Sequence, residues 1–290
     1  MWDYDSLIGK AKAYNDRASS ASTESLDFGL WLLFGFEFLA RATLARKHPT
    51  LLAAPDGESI LAALGIEGTR AAKSIPFHTV VTRLRYVVGD FTPEVGQDAT
   101  DLMNIRNAEM HTGESAIESK TLDSWLPKLI RASKVLTDHL GYEINDLIGE
   151  EVVALGERLI DAEDMKLVAE IRKRVEEHRR FWSNLTAGER QQRGAVSRWP
   201  VPYGMPCLAC GTSVKINYEE ARRSGVRVDL DGNRVVSVQN LATSLQCVAC
   251  GLELGSTAEV RAAGIPHLVQ TEEEIDDRYD DVYEPDYGND

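Results

Sequence analysis

The chain has 290 residues, 43% of them hydrophobic and 27% charged, proportions that exclude wholesale disorder. Its formal charge of −14 is uneven: from Thr271 to Asp290 ten acidic residues face Arg278 alone, a local −9 that leaves −5 for residues 1 to 270. Between Lys166 and Arg198 nine basic residues outnumber four acidic ones, so a polyanion is not excluded as a partner.

Apolar residues recur at three and four positions through the first two thirds, which predicts at least six helices. Tyr4 to Ala18 is a short amphipathic helix, and Thr23 or Ser25 can cap the next, Leu26 to Lys47, which ends before His48-Pro49. That second helix is apolar all round and belongs at a core or is shared with a second subunit. Its longest apolar run, Phe28 to Phe36, stops at Glu37, short of the roughly 20 residues that span a bilayer, so no membrane segment is expected. Arg41 follows Glu37 at the spacing that lets a carboxylate and a guanidinium meet on one helical face. Two shorter helices, Glu58 to Leu64 and Phe77 to Val88, form an insertion. Pro93 to His111 is long and stops at Thr112-Gly113, and Leu122 to Leu140 follows as its antiparallel neighbour. Glu143 to Ala162 and Met165 to Trp182, with a short helix from Asn184 to Arg193, make a charged arm; Arg172, Arg174, Arg179 and Arg180 are its candidate RNA contacts, and Phe181, Trp182 and Trp199 are nearby aromatics.

After Trp199-Pro200 the period changes. Val226 to Leu230 and Val235 to Val238 flank Asp231-Gly232-Asn233 as a hairpin. Around it stand Cys207-Leu-Ala-Cys210-Gly and Cys247-Val-Ala-Cys250-Gly, near copies separated by 36 residues. Two thiolates on one tight turn reach one Zn²⁺ and two such turns complete a tetrahedron, so the pattern resembles a zinc ribbon holding one structural Zn²⁺ per chain. All four positions are then filled by sulfur, which leaves none for catalysis. Four cysteines in a chain with a Met-Trp-Asp-Tyr-Asp start, which has no basic apolar leader, point to a reducing cytoplasm.

Four arginines precede a histidine at the spacing of an Arg, four to six residues, His motif: Arg41 and His48, Arg106 and His111, Arg172 and His178, Arg261 and His267. Only Arg106 is followed by Asn and closes a long helix after a buried one. Through Arg106-Asn107 to His111, with Glu37 and Arg41 as supporting residues, residues 1 to 142 resemble the HEPN superfamily of helical-bundle proteins, many of them ribonucleases. Gly113 stands where some HEPN toxins carry the Tyr modified by an antitoxin, so that mode of control is not implied. The resemblance implies a homodimer whose paired motifs line a cleft, acting as a toxin or antiviral effector, with a protein regulator or antitoxin as possible partner.

The chemistry of the residues agrees with this. RNA carries its own nucleophile, the 2′-OH, and its cleavage needs a base or acid near neutral pH and a cation on the phosphorane. Imidazole suits His111 to the first role and a planar fork of donors suits Arg106 to the second, with Asn107 one turn before His111. No metal is required. Five residues at about 100° each set Arg106 and His111 about 140° apart, so they converge only if the helix loosens before Gly113 or a second subunit supplies half of the site. The competing readings are Arg106 paired with Glu37 or Glu109 in a non-catalytic nucleic-acid or protein binding module, and a zinc-ribbon transcription regulator.

The expected architecture is therefore mainly helical: a HEPN-like bundle over 1–142, a charged arm over 143–198, a small β zinc ribbon over 199–262 and an acidic tail over 263–290.

Overall fold

A computed structural model describes residues 2–68, 70–196, 204–229 and 232–275. Arg198, Trp199 and most of the acidic tail lie outside this set. The chain divides into two compact units, residues 1–162 and 163–290.

The first unit is built around one helix. α1 (Tyr4–Ser19) starts at Asp3, whose carboxylate accepts from Ser6 N, and α2 (Leu26–Lys47) starts at Ser25, whose hydroxyl accepts from Phe28 N. After a 3₁₀ turn come α3 (Gly57–Ala63), α4 (Phe77–Val87), α5 (Pro93–His111), α6 (Leu126–Leu140) and α7 (Ile144–Ile148). By length and composition α2 could cross a membrane, but 72% of its most apolar stretch is buried inside the protein, as a core helix requires. Phe28, Leu32, Phe36 and Leu39 are shut in with Leu84 of α4, Leu102 of α5 and Leu129 of α6. Truncating Leu32, which has no exposed surface, would cost roughly 2–5 kcal/mol by lost burial and the cavity left behind. α1 lies so close to α2 that Gly35 faces the Asn15 amide, which donates from Nδ2 to Leu147 O of α7 at 2.8 Å.

α8 (Glu150–Asn184) is one continuous 35-residue helix where the sequence predicted two, since Ala162 to Met165 contains no residue that stops a helix. It begins after Gly149 at φ +100° and contributes to both units: Val152 and Val153 are buried in the first core and Ile171 in the second. α9 (Ala187–Val196) follows.

The second unit corrects the expectation of a mainly helical chain with a small hairpin module. It holds a six-stranded antiparallel sheet, so the protein is mixed helical and β. β1 (Gly204–Pro206), β2 (Ser213–Arg223), β3 (Arg227–Val228), β4 (Arg234–Gln246), β5 (Glu253–Leu254) and β6 (Leu268–Glu274) are joined by α10 (Thr257–Ala262) between the last two. β4 is the hub: β2, β3, β5 and β6 all pair with it. β2 carries an alternation, Val214 and Ile216 in against Lys215 and Asn217 out, that the sequence displays but is easily read as a loop beside the cysteines. β6 has no such signal. Thr271 and Glu272 to Glu274, expected as the start of a solvated tail, are instead paired to β4 through Val238↔Thr271 and Val235↔Glu274.

Candidate functional site

The first candidate lies in the helical unit. Glu37 sits in the middle of α2, where the surrounding apolar residues bury it, and two guanidiniums share its carboxylate. Arg41, one turn on, donates from Nε at 3.0 Å and Nη2 at 2.9 Å to Oε1, and from Nη1 to Ile75 O at 3.2 Å. Arg106, arriving on α5, donates from Nη2 to Oε2 and from Nη1 to Asn107 Oδ1 at 2.8 Å. The side chains of Glu37, Arg41 and Arg106 are 10%, 14% and 16% exposed, and burial lowers the pKa of both arginines without discharging them. One carboxylate between two guanidiniums leaves the cluster with a net charge of about +1. Arg106 Nε is buried and makes no hydrogen bond among the described residues.

The residues singled out in two separate stretches of sequence, Glu37 with Arg41 and Arg106 with Asn107, thus come together. His111 does not join them. α5 remains α-helical to its end, with Thr112 N bonded to Ala108 O at 3.1 Å, so the last turn does not loosen. Arg106 faces inward and His111 is exposed, with no hydrogen bond or ion pair among the described residues. Glu109 is not the partner of Arg106: its Oε2 accepts from Ile117 N at 3.0 Å and ties the end of α5 to the following loop.

The second candidate lies in the sheet unit. Cys207 Sγ is 3.7 Å from Cys250 Sγ, Cys210 Sγ is 3.6 Å from Cys247 Sγ, and all four sulfurs lie within 4.8 Å of one another. A tetrahedral ion with metal–sulfur bonds of about 2.3 Å needs sulfurs about 3.8 Å apart, so this cluster can hold a metal ion. The two turns that present the sulfurs repeat each other in detail. Cys207 N donates to Thr212 O at 2.7 Å and Gly211 N to Cys207 O at 2.9 Å; Cys247 N donates to Leu252 O at 2.8 Å and Gly251 N to Cys247 O at 2.7 Å. Gly211 and Gly251 stand at φ +74° and +81°, the left-handed region where any side chain would be strained, which is why each cysteine pair is followed by Gly. Hydrogen bonds among the sulfurs, that of Cys207 first, pull the Cys247 thiol well below the ordinary cysteine range. The same sharing pushes Cys207 up to about 11.

α8 and α9 hold these turns from outside. His178 Nδ1 donates to Cys250 O at 2.8 Å, Arg179 Nη2 to Leu208 O at 3.1 Å, Arg193 Nη1 to Ala249 O at 3.4 Å and Arg174 Nη1 to Glu253 O at 3.1 Å. The role of His178 has no sequence signal, because its partner is a backbone carbonyl 72 residues away. Arg174 also pairs with Glu259 at 2.9 Å, and Glu176 draws in Arg179 at 2.8 Å and Arg180 at 3.4 Å. Glu176 belongs to the same segment and the carbonyls are neutral, so these contacts leave most of the surplus positive charge between Lys166 and Arg198 in place. Arg172 is exposed and borders an open cavity of about 560 Å³ with Val175, Leu208 and Ala262.

Compared with family models, curated proteins and solved structures, the chain gives no match.

Proposed function

We propose that the protein is a HEPN-type, metal-independent endoribonuclease whose metal site is a structural Zn²⁺ centre. The observation that carries the reading is the Glu37–Arg41–Arg106 cluster, which joins the two sequence motifs and keeps a surplus positive charge beside Asn107 on the helix that ends in His111. In this reading an anionic phosphate completes the cluster, the guanidinium stabilises charge on the phosphorane, and imidazole moves the proton of the 2′-OH or of the leaving oxygen. Because Arg106 and His111 sit on different faces of α5, the site takes Arg106 from one copy and His111 from another, so the active form is a homodimer. Cleavage leaves a 2′,3′-cyclic phosphate and a 5′-OH, chemistry suited to a toxin or antiviral effector. Zn²⁺ is the ion for four thiolates at tetrahedral spacing, and it folds the two cysteine turns rather than reacting.

A second reading has one specific observation in its favour: Arg106 is already paired with Glu37, as in a binding module without catalysis. Incubating total RNA with wild-type and His111→Ala protein separates the two. Cleavage by wild type alone supports the enzyme; intact RNA in both supports the binding module.

A further inference from the structure

One stripe of α2 lies at the edge of the core. Trp31, Phe34 and Phe38 are only half-buried, and Tyr14 of α1 lies among them. The Tyr14 ring is stacked on Trp31, with centroids 5.5 Å apart and planes at 13°, and lies 5.6 Å from Phe34 and 5.5 Å from Phe38. Cations crown the cluster. Lys10 Nζ stands 4.7 Å over the Phe38 ring, and the Arg17 guanidinium is 5.6 Å from Tyr14 and 5.0 Å from Trp31. The Lys10 and Arg17 side chains are exposed and make no hydrogen bond or ion pair among the described residues, unlike Arg174, Arg179 and Arg180 of α8. The only acid on this stripe of α2 is Asp27, in its first turn. The patch also reaches the candidate site, because the Arg106 guanidinium lies 5.5 Å over the Phe34 ring.

We propose that this face binds single-stranded RNA. Aromatic rings and guanidinium planes are surfaces on which bases stack without regard to sequence, while Lys10 and Arg17 are free to neutralise phosphates. A second copy of the chain is the poorer occupant. A twofold interface sets a patch against itself, and here it would bring Lys10 and Arg17 of one copy against the same cations of the other. The polyanion matches the charge, and a strand lying on the rings passes Phe34 and reaches Arg106. The proposal takes its choice of RNA over other polyanions from the ribonuclease reading, but binding and cutting are measured separately.

The test is fluorescence anisotropy of full-length protein with a labelled 2′-O-methyl oligonucleotide of ~12 nucleotides, which binds like RNA but cannot be cut through its 2′ position. In the Lys10→Gln/Arg17→Gln variant binding weakens about tenfold, and the log–log salt dependence becomes shallower by about 1.4, since each phosphate neutralised on a single strand contributes about 0.7. Trp31→Leu, which keeps an apolar side chain in place, also weakens binding but leaves the salt dependence unchanged. Unaltered affinity in the double variant, whose residues are exposed and do not threaten folding, overturns the proposal. So does a dimer that Trp31→Leu turns into a monomer with its RNA affinity intact, since the face is then a self-interface. If wild type binds the oligonucleotide through this face yet leaves total RNA uncut, the platform stands and the ribonuclease reading falls; His111-dependent cleavage with full affinity in the double variant gives the reverse.

Discussion

Arg106 and His111 divide the labour of one helix end. Arg106 is held by Glu37 and Asn107, while the His111 side chain is exposed and makes no hydrogen bond or ion pair among the described residues. Replacing them should have different structural costs. Arg106→Ala leaves a buried carboxylate with only Arg41 to hold it, and loss of one partner of a buried pair costs up to about 3–5 kcal/mol, so the thermal midpoint should fall, and, if the protein is the ribonuclease proposed, RNA cleavage should be lost with it. His111→Ala should abolish cleavage with the midpoint unchanged. A His111→Ala protein that still cuts RNA, assayed against total RNA on a denaturing gel, removes His111 from the mechanism. Mixing Arg106→Ala with His111→Ala protein should restore part of the activity if each site draws one residue from each copy, and a mixture as inactive as its components argues against a composite site.

Helix boundaries follow from a few caps whose charge can be titrated. Asp56 stands before α3, where Oδ1 accepts from Ser59 N at 2.8 Å and Oδ2 from Ser59 Oγ at 2.9 Å. The backbone bond from Ser59 holds this carboxyl below its ordinary 3.8, so the cap is fully present above that pH and is lost as pH falls through the folded value. Amide exchange at Ser59 should therefore accelerate selectively on acidification below the carboxylate range, and Asp56→Asn should remove most of that dependence. Close approach gives a second element-level expectation. A Cβ on Gly35 would overlap the buried Asn15 amide, so Gly35→Ala displaces that amide from its bond to Leu147 O and lowers the thermal midpoint, whereas Gly9→Ala, with open space around it, does not.

Periodicity made the helices of the first unit legible, and α2 and α5 end where the sequence places them, at His48 and Thr112. Spacing made the sulfur cluster legible, because two residues between cysteines and a following Gly describe one tight turn. Arg106 and Glu37 are 69 residues apart, so no helical spacing pairs them, although Glu37 already stands out as the charge that interrupts an apolar helix. What stayed hidden depends on distant partners. β6 is strand because β4 offers it hydrogen bonds, and His178 is ordered by a carbonyl of the second cysteine turn.

At the scale of the whole molecule, the division into two units predicts two separable stabilities. If the cysteine cluster holds the Zn²⁺ proposed for it, elemental analysis should return about one zinc per wild-type chain and almost none for Cys207→Ser or Cys247→Ser, whose sheet should unfold while helical circular dichroism from the first unit persists. Collapse of the whole chain in these variants would show that the units fold as one. The ion pairs Arg223–Glu273 at 2.9 Å and Arg227–Glu272 tie the start of the acidic segment to the sheet. Any truncation of the acidic tail must therefore begin after Ile275, since cutting at Thr271 removes four of the seven residues of β6 as well.

The hub position of β4 also sets an order on biosynthesis. β4 is complete at Gln246 and pairs at once with β2, already made, but its other edge, Val235 to Leu241, waits for Leu268 to Glu274 to leave the ribosome. During that interval the nascent chain shows a row of unpaired backbone groups flanked by Val236, Val238 and Leu241, the kind of edge on which neighbouring polypeptides aggregate. Glu272, Glu273 and Glu274 then arrive as the closing strand, and their like charges repel any further strand from adding beyond it.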